Sequence, residues 1–477
     1  MTEPEHPLPP STTDDYVANG EFSASSMNAD DASMVASDAA ALHLPESSEV
    51  LMKKTRITAL NKALFATYFC NAVSVTLPVI LMPLIAAEQT SLAGSSLATA
   101  AFVVSTASVS TLGGGFGKFI NGFALGGRVS ASLYLTAMAG FHLWLSFNKT
   151  GPIFGWILAG LDFCASIQWT ACSLILANHY DTSPAEFAAG VTVLSLASTF
   201  GVLFSKIGGI VLLQYVSSWS IVARVGAVVA VVGAILVRSL VTEMPLQAGG
   251  ITPSSIKRFN IRGVVRSLGN VLGSRIFWLV GLAHATTFLA RTSDRVLGSF
   301  FLESTSLPRH LCGGLTASVT LGFVHGLGKG KMFYSLKDTQ SKTRLLRKNY
   351  AKATLSCLAL ALLANQKVAT VLFPSKYVIA GLVALLTGVM ASSLSFQFYQ
   401  IPPMTSKMFG EDKAVCLSFL DGMGFFLSAP IWAVTSQIVG GLGIYGWSTA
   451  WVMLAFLFGS GGALMLRTLP QVLDEQR

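Results

Sequence analysis

The chain has 477 residues, of which 52% are hydrophobic and 12% charged, and its formal net charge at pH 7 is +9. In typical soluble domains about a quarter of the residues are charged, so this composition excludes an ordinary soluble protein. Long apolar runs predict an all-α polytopic membrane protein instead.

The first 50 residues differ from the rest. They contain ten Asp or Glu and no Lys or Arg, together with many Ser, Ala and Pro residues. A segment of this composition buries too little apolar surface to fold. We predict a disordered, acidic cytosolic tail over residues 1–52, without the pattern of a secretory signal or an organellar transit peptide.

Twelve apolar segments follow, each close to the about 20 residues that a helix needs to cross a bilayer. We predict an N-terminal six-helix half at 53–238 and a C-terminal six-helix half at 276–467, with a basic central cytosolic loop at 239–275 and a short tail at 468–477. The segments lie near residues 61–85, 93–117, 129–147, 152–177, 188–215, 219–237, 276–301, 310–327, 351–373, 377–400, 414–438 and 444–466.

Charge orients these segments, because cytosolic loops are enriched in Lys and Arg. With both termini in the cytosol, 24 of the 32 basic residues fall on the inner side and four on the outer side. This asymmetry supports an even number of crossings. The basic inner surface indicates contact with anionic lipid rather than with nucleic acid.

Arg291, Asp294 and Arg295 lie inside segment 7. Ionisable groups at this depth cost several kcal/mol unless they pair or line a wet cavity, so they mark a functional site. His284, Arg291 and Arg295 are spaced by seven and four residues and are predicted to share one helical face. Two interpretations stay open: Arg291 binds an anionic substrate through two parallel hydrogen bonds, or it forms a structural pair with Asp294.

Further charged residues lie within other segments. Asp162, in segment 4, is either a proton-coupling carboxylate or the partner of Lys206 or Arg224. Asp421, nearer the inner surface in segment 11, is predicted to act in a gate or in the structure. The membrane then holds three acidic and four basic residues, an excess that favours an anionic substrate.

Uncharged residues could complete a substrate site. Candidates for hydrogen bonding are Gln168, Tyr399 and Gln400, and candidates for apolar walls are Phe69, Trp169 and Phe288. The six cysteines have no metal-ligand spacing, and we find no nucleotide-binding loop and no nucleophile with a base at a recognisable spacing. We therefore predict no catalytic residue, no metal and no cofactor.

Six segments, a long inner loop and six further segments form the layout of the Major Facilitator Superfamily. The stretch GKFINGFALGGR at 117–128 resembles the inner-loop signature of that superfamily, close to its form in organophosphate:phosphate antiporters and eukaryotic sugar-phosphate exchangers. SIQWTACSLILANHY at 166–180, SPAEFAAGVTVLSLASTFG at 183–201 and TTFLARTSDRVLGSFF at 286–301 are similar to parts of segments 4, 5 and 7 of that branch. The loop lacks the usual acidic residue, and segment 1 has no arginine to partner Arg291.

The resemblance implies two helical halves that rock around a site near the membrane midplane. It places Arg291 where these antiporters carry a phosphate-binding arginine, and it implies a gating role for Lys118 and Arg128 in the inner loop. We predict a monomeric secondary transporter of a small anionic solute, with phosphorylated compounds among the candidates, driven by exchange or proton coupling. A proton-coupled carrier of a neutral or zwitterionic metabolite and a transporter-like receptor or scaffold without turnover remain alternatives.

Overall fold

The computed structural model describes residues 48–90, 96–121, 127–148, 151–179, 184–216, 218–241, 261–336 and 338–474. Within these ranges the regular elements are α-helices and two short 3₁₀ turns. Thr58–Arg477 forms one compact unit, which contains every candidate site residue. Of the other unit, Met1–Ile57, the structure describes the helical residues 48–57.

The N-terminal half contains six helices, and each coincides with one predicted segment. They are α1 (Ser48–Thr90), α2 (Ser96–Asn121), α3 (Arg128–Phe147), α4 (Gly151–His179), α5 (Pro184–Tyr215) and α6 (Trp219–Leu240).

The C-terminal half has more interruptions. Predicted segments 7, 8 and 9 are each split, at Ser293, Thr316 and Asn365. The helices are α7 (Ile261–Leu272), α8 (Arg275–Thr292), α9 (Asp294–Thr305), α10 (Arg309–Leu315), α11 (Ala317–Ser335), α12 (Thr339–Ala364), α13 (Gln366–Leu372), α14 (Lys376–Ser406), α15 (Lys413–Gly441) and α16 (Gly446–Asp474).

The predicted all-α membrane fold is confirmed, because every predicted segment coincides with helical residues. Seven helices in the described ranges are long and apolar enough to cross a bilayer, or nine if two bent pairs each count as one span. The pairs are α7 with α8, bent by 77°, and α12 with α13, bent by 93°. Length and composition do not test which way the helices point, so the cytosolic placement of both termini stays a prediction.

Three helices include residues from regions that were predicted as tails or as a loop. α1 begins at Ser48, so the last five residues of the predicted tail are helical, while residues 1–47 lie outside the described ranges. The predicted central loop contains α7, which is amphipathic and packs against the start of α15 through the buried Val271. α16 extends to Asp474, into the predicted C-terminal tail.

The two halves meet along α2 and α15, which pack closely against each other. At one end of this contact, Ser436 Oγ donates a hydrogen bond to Ala101 O at 2.7 Å. At the other end, the rings of Phe119 and Phe419 pack with centroids 4.4 Å apart. A second contact between the halves joins α5 to α10 and α11.

Close approach of α2 to α4 depends on Gly113, since a Cβ there would overlap the main-chain carbonyl of Ala159. A backbone carbonyl has no rotamer by which to move aside. We therefore expect Gly113→Ala to destabilise the protein by about 1–3 kcal/mol, the usual effect of overpacking. Gly140→Ala on α3 is the matched control, because a Cβ there meets nothing within 4 Å. The melting temperatures of the two purified variants, each first shown to elute as a monodisperse protein, check this prediction. Equal melting temperatures would contradict it.

Candidate functional site

A cavity of about 240 Å³ lies between the two halves. It is bounded by α1, α2, α4 and α5 on one side and by α8, α9, α14 and α15 on the other. Sites for drug-sized ligands occupy about 300–1,000 Å³, so this volume suits a small solute. The charged residues that line the cavity are Lys118, Asp162, Arg291, Arg295 and Asp421.

Arg291 lies on the last turn of α8, and 29% of its side chain is exposed to the cavity. Its Nη1 donates to Asp294 Oδ2 at 3.3 Å, and its guanidinium carbon lies 5.9 Å from the centre of the Phe323 ring. A guanidinium has five N–H donors, and this one long bond uses one of them. Arg291 therefore keeps donors for a ligand.

Asp294 is shared between two cations. Its Oδ2 also accepts from Lys206 Nζ at 3.4 Å, and Lys206 is fully buried. The same ammonium donates to Thr316 O at 3.0 Å and to Thr320 Oγ1 at 3.2 Å. Lys206 belongs to α5, and its partners belong to α9 and to the junction of α10 and α11. These contacts therefore join the two halves.

Asp162 forms a two-point ion pair with Arg295. Arg295 Nη2 donates to Asp162 Oδ1 at 2.9 Å, and Nη1 donates to Oδ2, which also accepts from the Ser110 hydroxyl. Bidentate guanidinium–carboxylate pairs are among the strongest polar contacts in proteins. In the structure the partner of Asp162 is therefore Arg295 from the other half, rather than Lys206 or Arg224, which were the two candidates for a pairing role.

A third ion pair joins the halves between α2 and α15. Lys118 Nζ donates to Asp421 Oδ2 at 2.9 Å. His284 Nε2 lies 3.7 Å from Asp421 Oδ1, which is beyond hydrogen-bond distance. Lys118 also lies 6.0 Å from the centre of the Trp169 ring, which lines the cavity. Separation of the halves at this end would break the Lys118–Asp421 pair.

Predicted segment 7 corresponds to α8 and α9, which meet at Ser293. At this point the Val296 N–H donates to Ser293 O, three residues back, at 3.0 Å. The Leu297 N–H also donates to Ser293 O at 3.0 Å, and Ser293 has helical backbone angles, so the backbone stays helical through this turn. Arg291 and Arg295 still line the cavity, whereas His284 does not.

Six predicted site residues do not line the cavity: Asp294, Lys206, Arg128, His284, Gln168 and Arg224. His284 is fully buried and its Nδ1 lies 3.3 Å from the Thr287 hydroxyl. Gln168 is buried and donates to Ala131 O at 2.7 Å, which holds α4 against α3. Arg224 lies on the exposed surface of α6. Their residue types suit a binding site, but their helices turn them in other directions.

Arg128 lies at the start of α3, where its Nη1 donates to Val241 O at 3.1 Å. The bond holds the beginning of α3 to the end of α6. Residues 122–126 of the predicted inner-loop signature lie outside the described ranges.

The described interior charges do not balance. Asp162, Asp294 and Asp421 each contact a cation, and Asp294 contacts two. One positive charge is therefore in excess. The four cations of these pairs are Lys118, Lys206, Arg291 and Arg295.

Sequence reasoning missed part of the cavity wall. Tyr68 and Asn71 of α1 line it, and their three-residue spacing in an otherwise apolar segment was the available signal. Of the uncharged candidates, Tyr399, Phe288 and Trp169 line the cavity, whereas Phe69 and Gln400 do not. Among the described residues, no group of three or more His, Cys, Asp or Glu could hold a metal ion.

Comparison with known sequences found no matching family model and no matching curated protein. Solved structures do match. The chain is similar to a bacterial homologue of the human lysosomal transporter Spinster in an inward-facing, occupied conformation, with a TM-score of 0.62 and 13% identity over 88% of this chain and 98% of that chain.

Two further structures extend the similarity. A D-xylose–proton symporter has a TM-score of 0.57 and 15% identity, covering 86% of this chain and 97% of its own. A human organic anion transporter has a TM-score of 0.56 and 12% identity, covering 86% of this chain and 99% of its own. These matches show that the chain shares the helical fold of these solved transporter structures.

Proposed function

We propose that the protein is a secondary transporter that works by alternating access and carries a small anionic solute bound at Arg291. The observation that carries this proposal is the position of Arg291 in the cavity, with one long hydrogen bond to a carboxylate that it shares with Lys206. The other cavity cations, Lys118 and Arg295, are bonded more closely to carboxylates of their own.

Charge supports an anion over a neutral solute. A guanidinium with free donors binds a carboxylate or phosphate through parallel hydrogen bonds. A monoanion at Arg291 would also neutralise the one excess positive charge of the cluster. The resemblance of segment 7 to organophosphate:phosphate antiporters places phosphorylated compounds among the candidates.

Three ion-paired contacts between the halves support alternating access. They are Lys118–Asp421, Arg295–Asp162 and Lys206–Asp294, and each joins one half to the other. Rocking of the halves would break and remake such pairs.

The same charges favour exchange over proton coupling through the cavity. Each of the three cavity-region carboxylates forms an ion pair with a Lys or Arg of the other half, so none of them is left unpaired to carry a proton with the solute. Enclosing an unneutralised guanidinium in a low-dielectric interior is costly. A loaded carrier would therefore close more readily than an empty one, as an exchanger requires.

Arg291→Lys tests the anion site, because lysine keeps the charge but loses the planar fork. We expect the variant to fold and to bind its anion more weakly by about 1–3 kcal/mol, or about 5- to 150-fold. Binding of inorganic phosphate, a sugar phosphate and small carboxylates would be measured by thermal shift on the purified protein. Exchange of the best ligand would then be measured in proteoliposomes.

Arg224→Lys is the matched control, since Arg224 lies on the exposed surface of α6. It should leave affinity unchanged. Equal affinity in the wild type and in Arg291→Lys would assign Arg291 to a structural pair with Asp294. If no anion of the panel bound the wild type, the substrate class would be wrong.

A further inference from the structure

Each half of the bundle carries a glutamate that accepts a hydrogen bond from a tryptophan indole. In the N-terminal half, Trp219 Nε1 at the start of α6 donates to Glu88 Oε2 on α1 at 2.6 Å. In the C-terminal half, Trp447 Nε1 at the start of α16 donates to Glu303 Oε2 on α9 at 2.9 Å. Both pairs join the first span of a half to its last span.

The two glutamates differ in their surroundings. Glu88 is exposed, whereas Glu303 is partly buried and its Oε1 is buried without a hydrogen-bond partner among the described residues. Glu303 lines a second cavity of about 420 Å³, at the end of the bundle predicted to face outward. Its main-chain carbonyl accepts from the Gln366 side chain, so the backbone that carries the carboxyl is held in place.

No cation compensates the Glu303 carboxyl among the described side chains that line this cavity. The elements that pack around it contribute only uncharged side chains, from the α9–α10 turn, the α12–α13 junction and the start of α16. These lining residues are Leu302, Ser304, Ser306, Leu307, Ala364, Gln366, Gly443, Ile444 and Trp447. The carboxylates of the central cavity, by contrast, each contact a Lys or Arg.

A buried carboxylate with one donor and no cation favours its protonated form. Glu303 lies beyond the apolar run 276–301, beside the turn at Ser306. Burial raises the pKa of its carboxyl to about 7, and the hydrogen bond from Trp447 opposes that shift.

We propose that Glu303 is a proton-binding site, separate from the solute cavity, that takes a proton from the aqueous phase at the outward-predicted end of the bundle. The carboxylate and one proton give a neutral carboxylic acid, which needs no cation in this apolar junction. Loss of the proton places a charge between α9 and α16, which loosens their contact. Since α9 also carries Asp294 and Arg295, the protonation state of Glu303 bears on the position of the central ion pairs.

Infrared spectroscopy of the protein in lipid tests proton binding without any transported solute. In the wild type, a protonated-carboxyl band should disappear with a midpoint near neutral pH as the pH is raised. Glu303→Gln should abolish this band, and Glu88→Gln, which removes the exposed member of the matched pair, should retain it. A band that survives in Glu303→Gln would overturn the proposal.

Trp447→Phe provides a second measurement that does not require Glu303→Gln to fold. The indole donor stabilises the ionised carboxylate, so its removal should move the midpoint to higher pH. A merely structural role of Trp447 would leave the midpoint unchanged, and that result would contradict the assignment.

Stability should follow the same titration. The pKa of Glu303 in the folded protein, about 7, lies above its ordinary value of 4.5, so between these values the folded state holds a proton that the unfolded state has released. Stability is then lost as pH rises through this window. The melting temperature of the wild type should fall relative to that of Glu303→Gln between pH of about 5 and about 8, and parallel curves would contradict the proposal.

Discussion

Asp162→Asn is expected to destabilise the protein by about 3–5 kcal/mol, because it leaves Arg295 buried without a carboxylate. The side chains of both residues are almost fully buried, at 8% and 12% exposure, so water cannot replace the lost partner well. The Ser110 hydroxyl remains as a neutral acceptor for Arg295 and compensates only in part. The melting temperature of the purified protein measures the loss.

The double variant Asp162→Asn/Arg295→Gln separates the ion pair from other effects of the substitution. Removing both charges leaves no stranded cation, so it should melt closer to the wild type than Asp162→Asn does. A single variant as stable as the wild type would contradict the importance of the pair.

Transport by Asp162→Asn distinguishes the two roles considered for this carboxylate. As a proton carrier, Asp162 would be needed for gradient-driven accumulation but not for equilibrium exchange. As half of an ion pair between the halves, it should affect both in proportion to the loss of folded protein. We expect the second result, because Arg295 holds Asp162 at both oxygens.

Asp294→Asn is expected to destabilise the protein at least as much, by about 3–5 kcal/mol, because it removes a carboxylate that contacts two cations. Most of this destabilisation would come from Lys206, since its charge is fully buried and would keep only Thr316 and Thr320 as hydrogen-bond acceptors. The contribution from Arg291 would be smaller, because its guanidinium is partly exposed to the cavity. The yield and melting temperature of monodisperse protein would show this loss.

Lys206→Met in the Asp294→Asn background should restore much of the stability, since methionine fills the space without a charge. The double variant also tests the anion site from the opposite direction. Asp294 competes with the solute for Arg291, so its removal should tighten phosphate binding, by about tenfold if the competing bond contributes about 1.4 kcal/mol. Weaker phosphate binding in the rescued protein would contradict a site centred on Arg291.

Local features of this protein followed from its sequence. The apolar runs predicted the spans, because about 20 apolar residues in a helix match the thickness of the bilayer core. The Arg291–Asp294 contact was also predictable, since residues three apart in a helix are neighbours. The rarity of charge inside a membrane marked Arg291, Arg295, Asp162 and Asp421, all of which line the central cavity. It also marked Lys206, Asp294 and Arg224, which do not line the cavity, whereas Lys118 was marked by the resemblance of the inner loop.

Only the tertiary structure decided which of these charges meet. Arg295 and Asp162 are 133 residues apart and Lys118 and Asp421 are 303 apart, on helices of different halves. Periodicity shows which residues share a helical face, but not toward which neighbour that face is rotated. Pairing across the halves requires the relative rotation and depth of several helices at once, and those are set by contacts between distant parts of the chain.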